Sequence, residues 1–210
     1  MNFRKLFNYY VAPIVGIVGA FFGDFGDYPD DFINDSDGDM VIGVYIGGDG
    51  IAAISVAERI DDGSIRIIKS IETEFDFERI SKNGFHDFIE KTTGIYDGVV
   101  FVSNNSGMPD GLLSEPARFS EKSMVFVKLG IKPLLDDQRK RFFNVKSMLA
   151  SIVITSLKSG KIINDAGFDF SSFEMNEKSH SFDESYRFKI SQGWLDKKDL
   201  SIILLFSGSE

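Results

Sequence analysis

Aspartates are the residues of this chain whose types and spacing suggest chemistry first. Seven of them, Asp24, Asp27, Asp30, Asp31, Asp35, Asp37 and Asp39, crowd the stretch Gly23 to Asp39, which holds no basic residue. Clustered carboxylates suit hard divalent cations, which prefer oxygen ligands. Asp35 to Asp39, DSDGD, has the opening of a calcium-binding loop. Such a loop needs Gly at its sixth position for a tight turn and Glu at its twelfth for bidentate ligation. Those positions hold Met40 and Ile46. The stretch therefore reads as a solvated acidic linker. The two histidines, His86 and His180, read as a helix-surface residue and a loop residue rather than as ligands or bases. No G-x-x-x-x-G-K-[ST] phosphate loop occurs, so the chain alone is no nucleotide-driven motor.

The chain has 210 residues, 43% of them apolar, enough for one α/β domain with a sizeable core. Cysteine is absent, which excludes disulfides and thiolate metal sites and points to an intracellular protein or a virion component. The net charge of −9 offers nucleic acid no overall attraction, so any DNA contact needs a local basic face. The candidate face is Lys128 to Lys146, with Lys132, Arg139, Lys140 and Arg141. Its plainer reading is a set of solvated charges flanking a helix start.

Residues 1–39 differ from the rest. Arg4 and Lys5 precede the 14-residue apolar run Tyr9 to Phe22. That run is short for a membrane-crossing helix, which takes about 20 residues. Pro13, Gly16 and Gly19 disfavour a long helix, and no A-x-A-like cleavage site follows. We read residues 1–39 as an apolar docking segment joined by the acidic linker to a domain over residues 40–210.

From Met40 the pattern becomes regular. Met40–Ile46, Ile51–Arg59 and Ser64–Ile71 are expected as strands, separated by a Gly-rich turn and by Asp61-Asp62-Gly63. Phe77 to Thr92 has helical spacing. Val99 to Val102 is wholly apolar, as in a strand covered on both faces. A short helix is expected from Pro109 to Leu113, and a strand over Ser123 to Leu129. Arg139 to Ser159 is the longest helix expected, stopped by Gly160. Lys161 to Ile163 suggests a short strand, and Ser181 to Ile190 a last helix. Trp194 should be a core or edge anchor. Asp196 to Ser207 reads as a charged turn with an apolar tail. This order gives an α/β fold with a mixed sheet, three antiparallel strands and then parallel ones, flanked by helices.

Four segments carry a family resemblance. VIGVYIGGDGIAAISVAE, GVVFVSNNSGMPDGLL, RFFNVKSMLASIVITSLKSGKI and KSHSFDESYRF together span roughly Met40 to Lys189. Their words, order and spacing resemble the nuclease domain of phage large terminases, which has an RNase H-like fold. The resemblance implies a two-metal nuclease site whose carboxylates come from the first strand, the central strand and the last helix. Two such ions lie roughly 4 Å apart and stabilise the attacking and leaving oxygens. In this chain the first two places hold Tyr45 and Ser103; the third holds Asp183, with Glu184 beside it. A phenol with a pKa near 10 is a poor ligand at neutral pH, and a serine hydroxyl brings no charge.

Asp49 and Asp110 are the carboxylates nearest to rescuing the site, and Glu72, Glu74 and Asp76 could approach it. Asp49 lies up to about 13 Å from Tyr45 along an extended chain. The resemblance thus implies a phage protein, in host cytoplasm or virion, that keeps the fold with its catalytic carboxylates lost. It would act as a structural or binding component of the virion or of DNA packaging, with other phage proteins as partners through residues 1–39. No cofactor is then expected. The alternatives are an active Mg²⁺- or Mn²⁺-dependent endonuclease using Asp49, Asp110, Asp183 and Glu184, and an unrelated globular interaction protein.

Overall fold

The computed structural model describes residues 40–61, 63–74, 98–104, 124–174 and 178–207. The helices expected over 77–92 and 109–113, the segment 1–39, and Asp76, His86 and Asp110 lie outside the described residues.

Strands β1 (Met40–Ile46), β2 (Ile51–Arg59) and β3 (Ile65–Glu74) form an antiparallel meander. The first two match the expected bounds, and β3 runs three residues further than expected. The turn between β1 and β2 closes with the Gly47 N–H donating to the Ile51 carbonyl at 2.9 Å. It includes Gly50 at φ 77°, a left-handed conformation natural to glycine. Strand β4 (Val99–Asn104) lies parallel to β1, and β5 (Met124–Phe126) parallel to β4. At the other edge, β6 (Ile162–Asn164) runs parallel to β3. The full order is β5-β4-β1-β2-β3-β6, the mixed sheet expected from the sequence.

The long helix expected over 139–159 is two helices, α1 (Asp136–Arg141) and α2 (Val145–Lys158). Asn144 breaks them. It takes an extended backbone at φ −151° and caps α2, its side chain accepting from the Ser147 N–H at 2.9 Å. Asparagine is a strong N-cap because its oxygen satisfies a free amide of the first turn. Gly160 at φ 66° follows the last turn.

The expected last helix over 181–190 is instead a hairpin, β7 (His180–Phe182) and β8 (Phe188–Ile190). It docks on α2 through Ser147. That buried hydroxyl donates to Asn144 Oδ1 at 2.7 Å and accepts from the Ile190 N–H at 3.1 Å. Ser147→Ala would leave a buried amide unpaired, which costs about 1–3 kcal/mol. Urea unfolding is expected to show that loss.

The final helix is α3 (Lys197–Leu204), where a turn and tail were expected. It starts with a reciprocal capping box. Asp196 Oδ1 accepts from the Asp199 N–H at 2.8 Å, and Asp199 Oδ2 from the Asp196 N–H at 2.9 Å. The acidic residue three positions after the cap, just before SIILL, was the legible signal for this start. Ile202, Ile203 and Leu204 are fully buried against the sheet. Helices α2 and α3 cover the face of β1 that carries Val41, Gly43 and Tyr45, while Ile42, Val44 and Ile46 belong to a second buried cluster on the opposite face. No helix among the described residues is long and apolar enough to cross a membrane.

Candidate functional site

In a sheet with parallel strands, ligand sites gather beyond the carboxyl ends of those strands. Here that means the ends of β1 and β4. Tyr45 and Ser103 are direct register partners there, 8% and 4% exposed. Strand alternation puts both on the face beneath the helices, with Gly43 and Phe101. The two positions expected to matter are therefore side by side.

Their chemistry is neutral. Burial pushes the Tyr45 phenol above its ordinary pKa of 10.0, with Asp49 adding to the rise and Lys197 opposing it. The phenol stays protonated at neutral pH. Asp49, in the turn after β1, receives the Lys197 ammonium at 2.6 Å. That hydrogen bond holds the carboxylate below its usual range. Lys197, at the start of α3, is raised in turn by Asp49, with smaller contributions from Glu72 and Asp196. An ammonium thus occupies the carboxylate-bearing corner of this end. Mg²⁺ and Mn²⁺ want several free oxygen anions. A protonated phenol, a hydroxyl and a carboxylate already held by lysine do not fit them. Among the described residues no group of three or more His, Cys, Asp or Glu side chains is placed to hold a metal ion.

Asp183 is engaged elsewhere. It sits at the tip of the β7–β8 hairpin, not on a helix. Its Oδ1 accepts from the N–H groups of Ser185 and Arg187 at 3.0 and 2.9 Å. Its Oδ2 takes both Nε and Nη2 of Arg187, at 2.8 and 2.5 Å. The guanidinium depresses the Asp183 pKa. This is the bonding of a residue that builds a turn. Glu184 beside it is exposed. The carboxylates that the actual last helix brings in are Asp196 and Asp199. Asp199 is 2% exposed, and burial pushes its pKa up to about 6. Sequence reasoning passed over it because the apolar tail hid the helix start.

Of the other residues considered, Glu72 and Glu74 lie in β3 and are exposed. His180 packs against the rings of Phe182 and Phe188, at 6.1 and 5.6 Å between centroids. Trp194 is an anchor as expected, its indole N–H donating to the Ser172 carbonyl at 2.7 Å. Arg139 is tied into its own helix start. It donates to the Pro133 carbonyl at 2.6 Å and pairs with Asp136 at 3.5 Å. Lys132, Lys140 and Arg141 are exposed.

No family model matches the sequence, and no curated protein matches it. Solved structures are similar at low identity. The large terminase from a thermophilic bacteriophage is 13% identical, with 85% of this chain and 40% of that chain covered at a TM-score of 0.48. The yeast mitochondrial Holliday junction resolvase is 12% identical, with 92% and 83% covered at 0.41. The Fowlpox virus resolvase, solved with substrate Holliday junction DNA, is 13% identical, with 57% and 76% covered at 0.33. The chain spans about two fifths of the length of the terminase chains it matches. By its own strand order, an antiparallel meander whose first strand continues into parallel neighbours, the chain has the mixed sheet of an RNase H-like α/β fold.

Proposed function

We propose that this is a phage protein built on the terminase-nuclease type of fold and retained for binding rather than cutting. It would serve as a component of the virion or of the DNA-packaging apparatus, with residues 1–39 as its docking segment for other phage proteins. The observation that carries this reading is the buried Tyr45–Ser103 pair at the carboxyl ends of β1 and β4. Two uncharged hydroxyl groups stand where a two-metal mechanism needs carboxylates. The Lys197–Asp49 ion pair supports it by adding a positive charge at the same end.

The test is incubation of the full chain with supercoiled plasmid in millimolar Mn²⁺, beside Asp49→Ala and Asp183→Ala variants. No cleavage above a metal-only control is expected from any of the three. Robust cleavage by the wild-type chain, abolished by either substitution, would overturn the reading in favour of an active endonuclease.

A further inference from the structure

A second surface lies between the β7–β8 hairpin and the helices, distinct from the Tyr45–Ser103 end. Lys140 and Arg141 at the end of α1, Ser151, Thr155 and Lys158 on α2, and Phe182 and Tyr186 on the hairpin border an open groove of about 420 Å³. Phe142, Ile154 and Phe188 form its floor. Three cations and no carboxylate line it, in a protein whose net charge is −9. Lys140 and Lys158 have no ion-pair partner among the described residues. Among those same residues Arg141 is held by its contact with the Phe142 ring, 5.3 Å from the centroid. The nearby Asp183 is neutralised by Arg187, and Glu184 does not line the groove.

Two of the aromatic residues are exposed, and one of them, Tyr186, carries a backbone cost. Phe182 is 61% exposed and Tyr186 is 87% exposed. The hairpin turn closes with the Tyr186 N–H donating to the Asp183 carbonyl at 2.9 Å and the Asp183 N–H to the Arg187 carbonyl at 3.1 Å. In this geometry the last turn residue is left-handed and is customarily glycine. Here it is Tyr186 at φ 57°, alone among the described non-glycine residues in having a positive φ. A tyrosine here holds the backbone in a conformation that L side chains disfavour and leaves its ring largely in water.

We infer that this groove binds single-stranded nucleic acid, with bases stacking on Phe182 and Tyr186 and phosphates meeting Lys140, Arg141 and Lys158. Charge and rings together select that occupant. Cations track a phosphate backbone, and exposed aromatic faces take unstacked bases, which a duplex keeps covered. An acidic peptide would use the cations and leave the rings idle. The groove does not depend on the loss of catalysis proposed above, since its residues are separate from those at the strand ends.

The experiment is fluorescence anisotropy of the full chain with a labelled oligothymidylate of roughly 15 nucleotides, a duplex of mixed sequence, and a synthetic peptide of residues 23–39. Single-strand binding tighter than duplex binding is expected. Phe182→Ala with Tyr186→Ala should weaken it by about tenfold per ring at an unchanged salt slope. Lys140→Gln, Arg141→Gln and Lys158→Gln together should lower the slope of log affinity against log salt by about 2, since each phosphate contact on a single strand contributes about 0.7. Tyr186→Asn separates binding from folding: it should melt no lower than the wild type while binding more weakly. Equal duplex binding, ring variants that bind normally, or tighter binding of the 23–39 peptide than of the oligonucleotide would each overturn the inference.

Discussion

Gly43→Ala is expected to cost the domain about 3 kcal/mol or more, at the upper end of what overpacking a core does. The chain of α3 passes directly over β1 at this residue. A methyl group on Gly43 would collide with the Ser201 backbone carbonyl and meet Leu204 Cβ at 3.1 Å. A carbonyl inside a helix is not the flexible end of a side chain and cannot step aside. The whole of α3 must lift, and with it Ile202, Ile203 and Leu204, all fully buried. Small groups permit the close approach. Beside Gly43, the Ser55 and Ser201 hydroxyls lie 2.7 Å apart, and Ser55 reaches Ser70 at 3.1 Å. Circular dichroism melting and guanidinium unfolding measure the loss. Alanine at Gly48, where an added methyl would meet open space, is the matched control. A Gly43→Ala protein as stable as that control would show that the helix does not seat on β1 as described.

Asp199→Asn is expected to stabilise the protein at neutral pH and to flatten its stability profile between about pH 4 and pH 6. The carboxyl of Asp199 is 2% exposed and titrates at about 6 in the folded chain, against an ordinary value of 3.8. Burial raises it most, and the charge of Asp196 adds to the rise. A folded pKa above the unfolded one means that the folded state binds the proton more tightly. Stability from this group is fully present below about pH 4. It falls as the pH rises through 6, because the unfolded chain ionises first. A displacement of about two pH units, at about 1.4 kcal/mol each, makes the loss about 3 kcal/mol. Asparagine keeps an oxygen to accept the Asp196 N–H and never ionises. The difference in unfolding free energy between variant and wild type should therefore grow across that window and level off above it. A difference independent of pH would place the ionised carboxylate in a better-solvated site than its burial indicates.

The first two strands of the meander were readable to the residue because their signals agree. Strands β1 and β2 combine β-branched runs with glycine turns, and no competing helical period exists there. The central strand β4 was legible from Val99 to Val102, an apolar run too short for a helix and preceded by the turn residues Asp97-Gly98. The sequence supplied Tyr45 and Ser103 as separate positions; that they are register partners is a fact of the β1–β4 pairing.

What the sequence concealed was of two kinds, local and long-range. The apolar positions Tyr186, Phe188 and Ile190 are two residues apart, which is a strand's period, yet Ser-Phe-Asp-Glu in front of them imitates a helix start. Tyrosine in place of the glycine expected at residue 186 removed the usual mark of a hairpin. Asp183 was accordingly placed on a helix, where it would project toward a site, when it closes a turn. In the Arg139–Ser159 stretch, Phe142 and Phe143 continued the helical spacing across a break that only Asn144 announced. The Lys197–Asp49 pair joins two residues 148 positions apart. No local pattern signals a contact that depends on where α3 comes to rest.

The two outer strands among the described residues bear on how copies of this domain associate. Both β5 and β6 are only three residues long. Beyond β6 the chain turns off at once: the N–H groups of Asp165 and Ala166 both donate to the Ile67 carbonyl, and the Asn164 side chain clasps the backbone of Phe168 at 2.8 and 2.9 Å. Past Ile67, β3 runs on to Glu74 with no β6 residue paired beside it, so among the described residues it is this stretch, not β5 or β6, that presents a row of backbone amides and carbonyls to an incoming strand. Sheet-to-sheet pairing between copies would therefore have to begin on the outer side of β3 beyond Ile67, because β5 and β6 offer a partner strand only three residues each.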